Sequence, residues 1–340
     1  MTKMYKMLFL TLIFSSTLIS ISSYSWLGMW LGLEINLLSI MPLMQNTKSI
    51  LSSESAIKYF IVQAIASTII MASMISLMTK TMLTSNINIQ STFLMMMNSA
   101  LLTKMGTAPF HFWFPEVMEG LDWMNCLIVL TWQKIAPMVL LMYNMNFNLF
   151  MVTMIISSMV VSGVMGVNQI SMRKILAYSS INHMGWMLST MMIMETIWLY
   201  YFLIYSLVTV NLVMIMNKYK IFFLNQLFQT MNENQMTKLW FILNFLSLSG
   251  IPPFLGFLPK WLTIQALVMN GMIILPVMMI VLTLFTIFMY MRITLSTILM
   301  NINEQTWSKT NPMFNSTLIS ITNFIAISSL IFITILFNMN

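Results

Sequence analysis

Between Lys134 and Arg173 no residue carries a charge, and the same holds from Lys6 to Glu34, from Glu195 to Lys218 and from Lys260 to Arg292. Each interval is longer than the ~20 mostly apolar residues that carry an α-helix across a bilayer. The 15 basic and 8 acidic residues make up only 7% of the chain, against ~25% in a soluble domain. Hydrophobic residues reach 59%, against ~45–50%. So few charges cannot solvate a globule of 340 residues. A water-soluble enzyme, a disordered tail and a secreted disulfide domain are excluded, which leaves a polytopic membrane protein.

Eleven candidate spans follow from the apolar runs, at about 4–23, 25–44, 57–79, 91–117, 123–143, 148–168, 174–194, 196–216, 237–269, 271–291 and 315–337. They are too long for membrane strands and do not alternate with period two, so all are expected to be helices. Connections are short except 45–56, 80–90, 217–236 and 292–314, and the whole chain reads as one transmembrane domain. The opening Met1-Thr-Lys-Met-Tyr-Lys mimics a signal peptide, but no small-residue cleavage site follows, so the first span is expected to be retained. With eleven spans, Lys3, Lys6, Lys48, Lys58, Arg173, Lys174, Lys218, Lys220, Lys238, Arg292 and Lys309 fall on the N-terminal side, and Lys80 alone on the other. That bias is the positive-inside signature, and it explains the net charge of +7 without nucleic acid.

Four ionisable residues lie inside spans: Glu34, Lys104, Lys134 and Lys260. A lysine in hydrocarbon costs at least ~2.5–3.5 kcal/mol, and packing alone does not call for three of them. Away from water an ammonium gives up its proton more readily and a carboxyl holds its proton more tightly, so such groups are suited to exchange protons near neutrality. A Glu–Lys pair at about 6 Å and an effective dielectric of about 20 is worth ~2.8 kcal/mol. Moving one charge across 100 mV costs ~2.3 kcal/mol, so one pair offsets roughly 100 mV and a larger potential needs a chain of them. The plainer readings are snorkelling for the lysines and a structural ion pair for Glu34.

An internal repeat sits on two of these charged spans. Residues 106–116 read GTAPFHFWFPE and residues 250–260 read GIPPFLGFLPK, both fitting G-x-x-P-F-x-x-x-x-P-[EK] at an offset of 144 residues. The host spans, four and nine, are an odd number of spans apart, so the units (about 4–145 and 146–292, with a C-terminal extra helix at about 315–337) are expected to be inverted repeats. Gly106, Pro109, Gly250, Pro252 and Pro253 are expected to break both helices in mid-membrane. The fold class is therefore an all-α polytopic membrane protein with inverted repeats and two discontinuous helices. His111, inside the first motif, and His183, in the polar run of span seven, are candidates for a supporting proton relay. Each also fits a hydrogen-bonded histidine of a helix bundle.

Other features are quieter. Gly28 and Gly32 read as helix packing. Glu116, Glu119 and Asp122 read as a solvated turn or as proton collectors at a channel mouth. One cysteine, Cys126, makes no internal disulfide or iron–sulfur cluster, and no nucleotide-binding glycine loop or metal site is expected. The 42 methionines, and lysines far outnumbering the two arginines, suggest the codon bias of an AT-rich organelle genome.

The segments WLGMWLGLEINLLSIMPLM (26–44), LLTKMGTAPFHFWFPEV (101–117), LTWQKIAP (130–137), RKILAYSSINHMGWM (173–187) and LSLSGIPPFLGFLPKW (246–261) together resemble the antiporter-like subunit 2 family of the mitochondrial NADH–ubiquinone oxidoreductase, respiratory complex I. The resemblance implies an antiporter-like fold and a proton channel coupled to distant electron transfer from NADH to ubiquinone. It assigns Glu34, Lys104, Lys134 and Lys260 to the relay, with His111 and His183 along the same axis. It also implies no cofactor in this chain, since flavin, iron–sulfur clusters and quinone are bound by other subunits. The implied partners are membrane-arm chains, notably 4 and 4L, accessory subunits and phospholipids including cardiolipin, with no nucleic acid. The implied location is the mitochondrial inner membrane, N-terminus in the matrix and C-terminus in the intermembrane space. Two rival functions stand beside it: a free-standing Na⁺/H⁺ antiporter module, and a structural scaffold of the membrane arm.

Overall fold

Hydrocarbon offers no water to backbone N–H and C=O groups, so apolar runs of this length satisfy them internally as helices. The computed structural model describes residues 2–45, 49–81, 87–145, 149–231, 235–299 and 323–324. Their elements are α1 (Thr2–Ser22), α2 (Trp26–Met44), α3 (Ile50–Thr81), α4 (Ile87–Met105), α5 (Trp113–Gly120), α6 (Trp123–Leu130), α7 (Trp132–Tyr143), α8 (Leu149–Val167), α9 (Met172–Met191), α10 (Glu195–Tyr219), α11 (Leu224–Met231), α12 (Gln235–Ser249), α13 (Phe257–Met269) and α14 (Ile274–Leu299). Among the described residues β structure is limited to one bridge, Ser171 with Phe223.

Seven described stretches are long and apolar enough to cross a membrane: Met4–Ser22, Trp26–Met44, Ile50–Thr79, Trp123–Tyr143, Leu149–Val167, Glu195–Tyr219 and Ile274–Leu299. Spans four and nine are each divided into two shorter helices, as their glycines and prolines predict. The expected span at 315–337 lies outside the described residues apart from Asn323 and Phe324, as does most of the connection 292–314. Three element boundaries differ from expectation. The connection 217–236 contains α11, whose apolar residues Leu224, Leu227, Phe228 and Met231 recur at helical spacing. The helix α14 continues to Leu299 because Ile293, Thr294 and Thr297 still face the interior. Span five is interrupted at Thr131, between α6 and α7.

The chain divides into two compact units, one from Met1 to Met151 and one beginning at Val152. In the first, α2 packs on α1 and α3, α3 also touches α4 and α5, and α7 lies on α4, α6 and α1. Gly32 allows one close approach: a Cβ there would stand 2.7 Å from the backbone nitrogen of Ser20. Small residues at such crossings are what membrane helices use to pack. In the second unit α9 is the hub, and all its residues except Arg173 and Lys174 are buried. It has no apolar stripe to distinguish from a polar face, as befits a helix enclosed on all sides. Its hydroxyls are satisfied within the helix, Ser179 donating to the carbonyl of Leu176 and Ser180 to that of Ala177, both at 2.7 Å. Outside, Val277, Val281, Leu284, Phe285 and Phe288 of α14 are exposed, an apolar face suited to lipid tails or a membrane partner.

Candidate functional site

The first break begins where α4 ends. Gly106 adopts φ +73°, a left-handed conformation that glycine alone takes without a steric cost from Cβ. Its N–H donates to Thr103 O at 3.1 Å and the N–H of Thr107 donates to Leu102 O at 3.2 Å, the two bonds of a Schellman cap. Gly250 takes the same left-handed conformation at φ +76°, its N–H donating to Ser247 O at 3.0 Å. The Ala108–Pro109 and Pro252–Pro253 peptides are cis at matched positions. A short helix then resumes at the same interval after each glycine, α5 at Trp113 and α13 at Phe257. Both repeat copies therefore build the same half-helix, loop, half-helix unit.

A helix end inside a membrane leaves carbonyls without intrahelical partners. In the first unit two of them are capped by side chains. Trp113 Nε1, from beyond the break, donates to Thr103 O at 3.1 Å, and Gln63 Nε2 of α3 donates to Lys104 O at 3.1 Å. Lys104 occupies the last turn of α4 and is 7% exposed. A cation there sits at the favourable, negative end of the helix dipole. Glu34 lies half-buried on α2, in the same unit as Lys104. Among the described residues no ion pair within 4.0 Å joins them.

Lys134 is 2% exposed, with its ammonium 5.2 Å from the centroid of the Phe114 ring of α5. It stands in the first turn of α7, just past the interruption at Thr131. Gln133 beside it forms a reciprocal amide pair with Asn36 of α2, both N···O distances being 2.9 Å. The Tyr59 hydroxyl stands 3.5 Å from Gln133 Oε1. His111 lies in the break loop, its Nδ1 3.3 Å from Pro109 O and its ring 4.4 Å from that of Phe112. At the surface Lys58 bridges Glu54 and Glu116, each at 2.9 Å. That ties one acid of the expected solvated turn to α3, through an exposed pairing that water and salt screen.

The second unit holds Lys260 and His183. Lys260, in the first turn of α13, reaches back over the break to donate to Ser249 O, the end of α12, at 2.7 Å. It is 7% exposed, and its ammonium stands 5.8 Å from the centroid of the Trp186 ring. Its stem lies across Gly250, where a Cβ would meet Lys260 Cδ at 2.7 Å and Nζ at 2.9 Å. His183 Nδ1 is 2.9 Å from the Tyr201 hydroxyl, and its ring is 5.1 Å from that of Tyr205. A small cavity lined by His183, Tyr201, Tyr205, Ser247 and Pro259 sets this histidine against the second break.

Six residues that the sequence reading did not single out belong to these surroundings: Gln63, Tyr59, Gln133, Trp186, Tyr201 and Tyr205. Gln63 was detectable as an amide in mid-span, and Tyr201 and Tyr205 as a polar-tipped pair one helical turn apart. Among the described residues no group of His, Cys, Asp and Glu could hold a metal ion.

Interrupted membrane helices with buried lysines at the interruption are what the two units have in common. The chain matches the family described as NADH:quinone oxidoreductase/Mrp antiporter over residues 23–286. It is 46% identical over 342 residues to NADH-ubiquinone oxidoreductase chain 2 of Anopheles gambiae, covering 99% of both chains. It is likewise 46% identical over 340 residues to the chain 2 of Aedes aegypti, covering 99% of each. Among solved structures, respiratory complex I from Thermus thermophilus with bound aureothin contains a chain of TM-score 0.85 and 22% identity, over 96% of this chain and 78% of that one. The chain belongs to the NADH:quinone oxidoreductase/Mrp antiporter family, and within it to the NADH-ubiquinone oxidoreductase chain 2 proteins.

Proposed function

We propose that this chain is a proton-translocating subunit of the membrane arm of NADH:ubiquinone oxidoreductase, complex I, in the mitochondrial inner membrane. Electron transfer from NADH to ubiquinone takes place on flavin, iron–sulfur clusters and a quinone site held by other subunits, and this chain converts part of its free energy into proton movement. The observation that carries the reading is that the three lysines buried among the described residues stand at helix interruptions: Lys104 before Gly106, Lys134 after Thr131, Lys260 after Gly250. Interruptions offer backbone carbonyls to an ammonium where water is scarce, as Ser249 O does for Lys260.

In this reading the charge on Glu34 biases proton binding at Lys104, and the relay continues through Lys134 and Lys260, with His111 and His183 in support. The N-terminus and Lys218 and Lys220 face the matrix, and the C-terminus faces the intermembrane space. Neighbouring chains 4 and 4L, accessory subunits and phospholipids such as cardiolipin cover the exposed apolar faces. The test is substitution at Lys104 in assembled complex. Lys104→Met keeps an unbranched apolar stem and deletes the charge, while Lys104→Arg keeps a charge that hardly deprotonates. Both are expected to slow proton pumping and the quinone reduction coupled to it. Full pumping by Lys104→Arg in assembled complex would falsify the proton-carrier role and favour a scaffold. Purification of the chain without any redox arm, with sodium-driven proton exchange intact, favours the antiporter.

A further inference from the structure

The backbone around Lys134 holds that residue less firmly than an ordinary helix would. Thr131 has φ −114° and ψ −72°, away from helical values, so α6 does not hand its register on to α7. At the joint the N–H of Thr131 donates back to Leu127 O at 3.0 Å, and beyond it the N–H of Lys134 makes only a shorter-range i to i−3 bond, to Thr131 O at 3.3 Å. Three residues beyond Lys134, Pro137 has no N–H to offer the carbonyl of Gln133. The hydrogen-bond ladder is thus weakened on both sides of the lysine.

Side chains supply what the ladder lacks. Gln133 and Asn36 each donate to the other at 2.9 Å, and two parallel bonds fix orientation as well as distance. Asn36 is buried, so this pair meets little competition from water. Both helices rest on α1, and the amide pair ties them to each other directly. The helix that Gln133 reaches is the one that carries Glu34.

We infer that Asn36 and Gln133 are positioning residues for Lys134: their amide pair holds the first turn of α7 on α2 and so sets where the Lys134 ammonium stands for proton transfer. The pair is neutral and does not carry the proton itself. The inference rests on the relay reading of Lys134, and the experiment separates the two.

The decisive variants change reach without changing chemistry. Gln133→Asn keeps the amide but shortens it by one methylene, which opens the pair. Asn36→Gln with Gln133→Asn restores the summed length. Proton pumping is measured in inner-membrane vesicles and divided by the amount of assembled complex on native gels. Misplacing a reacting group by about 1 Å is enough to expect roughly a tenfold slower rate per assembled complex for Gln133→Asn, with the swapped pair back to within about twofold of normal. A normal rate for Gln133→Asn, or a swapped pair no faster than the single variant, overturns the inference. If Gln133→Asn does not assemble, Asn36→Leu with Gln133→Met keeps both volumes without an orphaned amide and is expected to pump slowly; a normal rate overturns the inference. Lys134→Ala is run in parallel. Normal pumping by Lys134→Ala removes the relay reading itself, whereas loss of pumping there beside normal pumping in the amide variants removes only the positioning role.

Discussion

Lys260 and Gly250 illustrate how one residue's chemistry dictates another's size. The lysine stem crosses the glycine, and its ammonium caps Ser249 O at 2.7 Å. Gly250→Ala therefore has two effects: backbone strain of about 1–2 kcal/mol at positive φ, and displacement of the lysine from its carbonyl. Gly271 separates them, because it has φ +78° with open space where a Cβ would go. We expect Gly271→Ala to lower thermal stability slightly and leave proton pumping per assembled complex unchanged, whereas Gly250→Ala lowers both. Equal pumping by the two variants would show that Lys260 does not need its perch. The glycine was legible in the sequence as a helix breaker. Its second duty, making room for a side chain ten residues on, depends on how the loop folds back.

At the level of elements, the two breaks share one construction, and the pattern G-x-x-P-F-x-x-x-x-P announced both. The interruption at Thr131 was not announced, although Pro137 stood in plain view. Proline acts on the preceding turn, and whether that turn merely bends or parts depends on what packs beside it. We expect Pro137→Ala to give the Gln133 carbonyl a partner, draw α6 and α7 toward one continuous helix and slow proton pumping by moving Lys134. An unchanged pumping rate with a continuous helix would detach function from the interruption. Helix crossings make a separate prediction. A Cβ at Gly120 would stand 2.5 Å from Leu51 O, a backbone atom that cannot rotate away. Gly120→Ala should cost about 1–3 kcal/mol by overpacking and reduce the yield of assembled complex on native gels.

For the whole molecule the distribution of basic residues is the strongest global signal. It predicts that a protease site inserted between Lys220 and Leu224 is cut from the matrix side of sealed inner-membrane vesicles and protected from the other. Cutting from the opposite face would overturn the orientation. That connection is partly structured, since the N–H of Met172 donates to Phe222 O at 2.9 Å and that of Leu224 to Ile170 O at 3.2 Å. The inserted site should therefore be cut slowly in the folded protein and faster once the membrane is dissolved.

The sequence by itself determined the all-helical membrane class, the mid-span glycine breaks and the identity of the buried charges. These are local properties: hydropathy over twenty residues, the φ that only glycine takes freely, and the cost of a lysine in hydrocarbon. Only the tertiary structure decided which groups attend each charge. Gln63 caps the Lys104 carbonyl from 41 residues away, and Asn36 meets Gln133 across 97. Amides, hydroxyls and ring faces are common in every span, and no local pattern says which of them will be brought to a given ammonium. That choice is made by helix packing, which brings groups from distant parts of the chain within hydrogen-bond distance of one another.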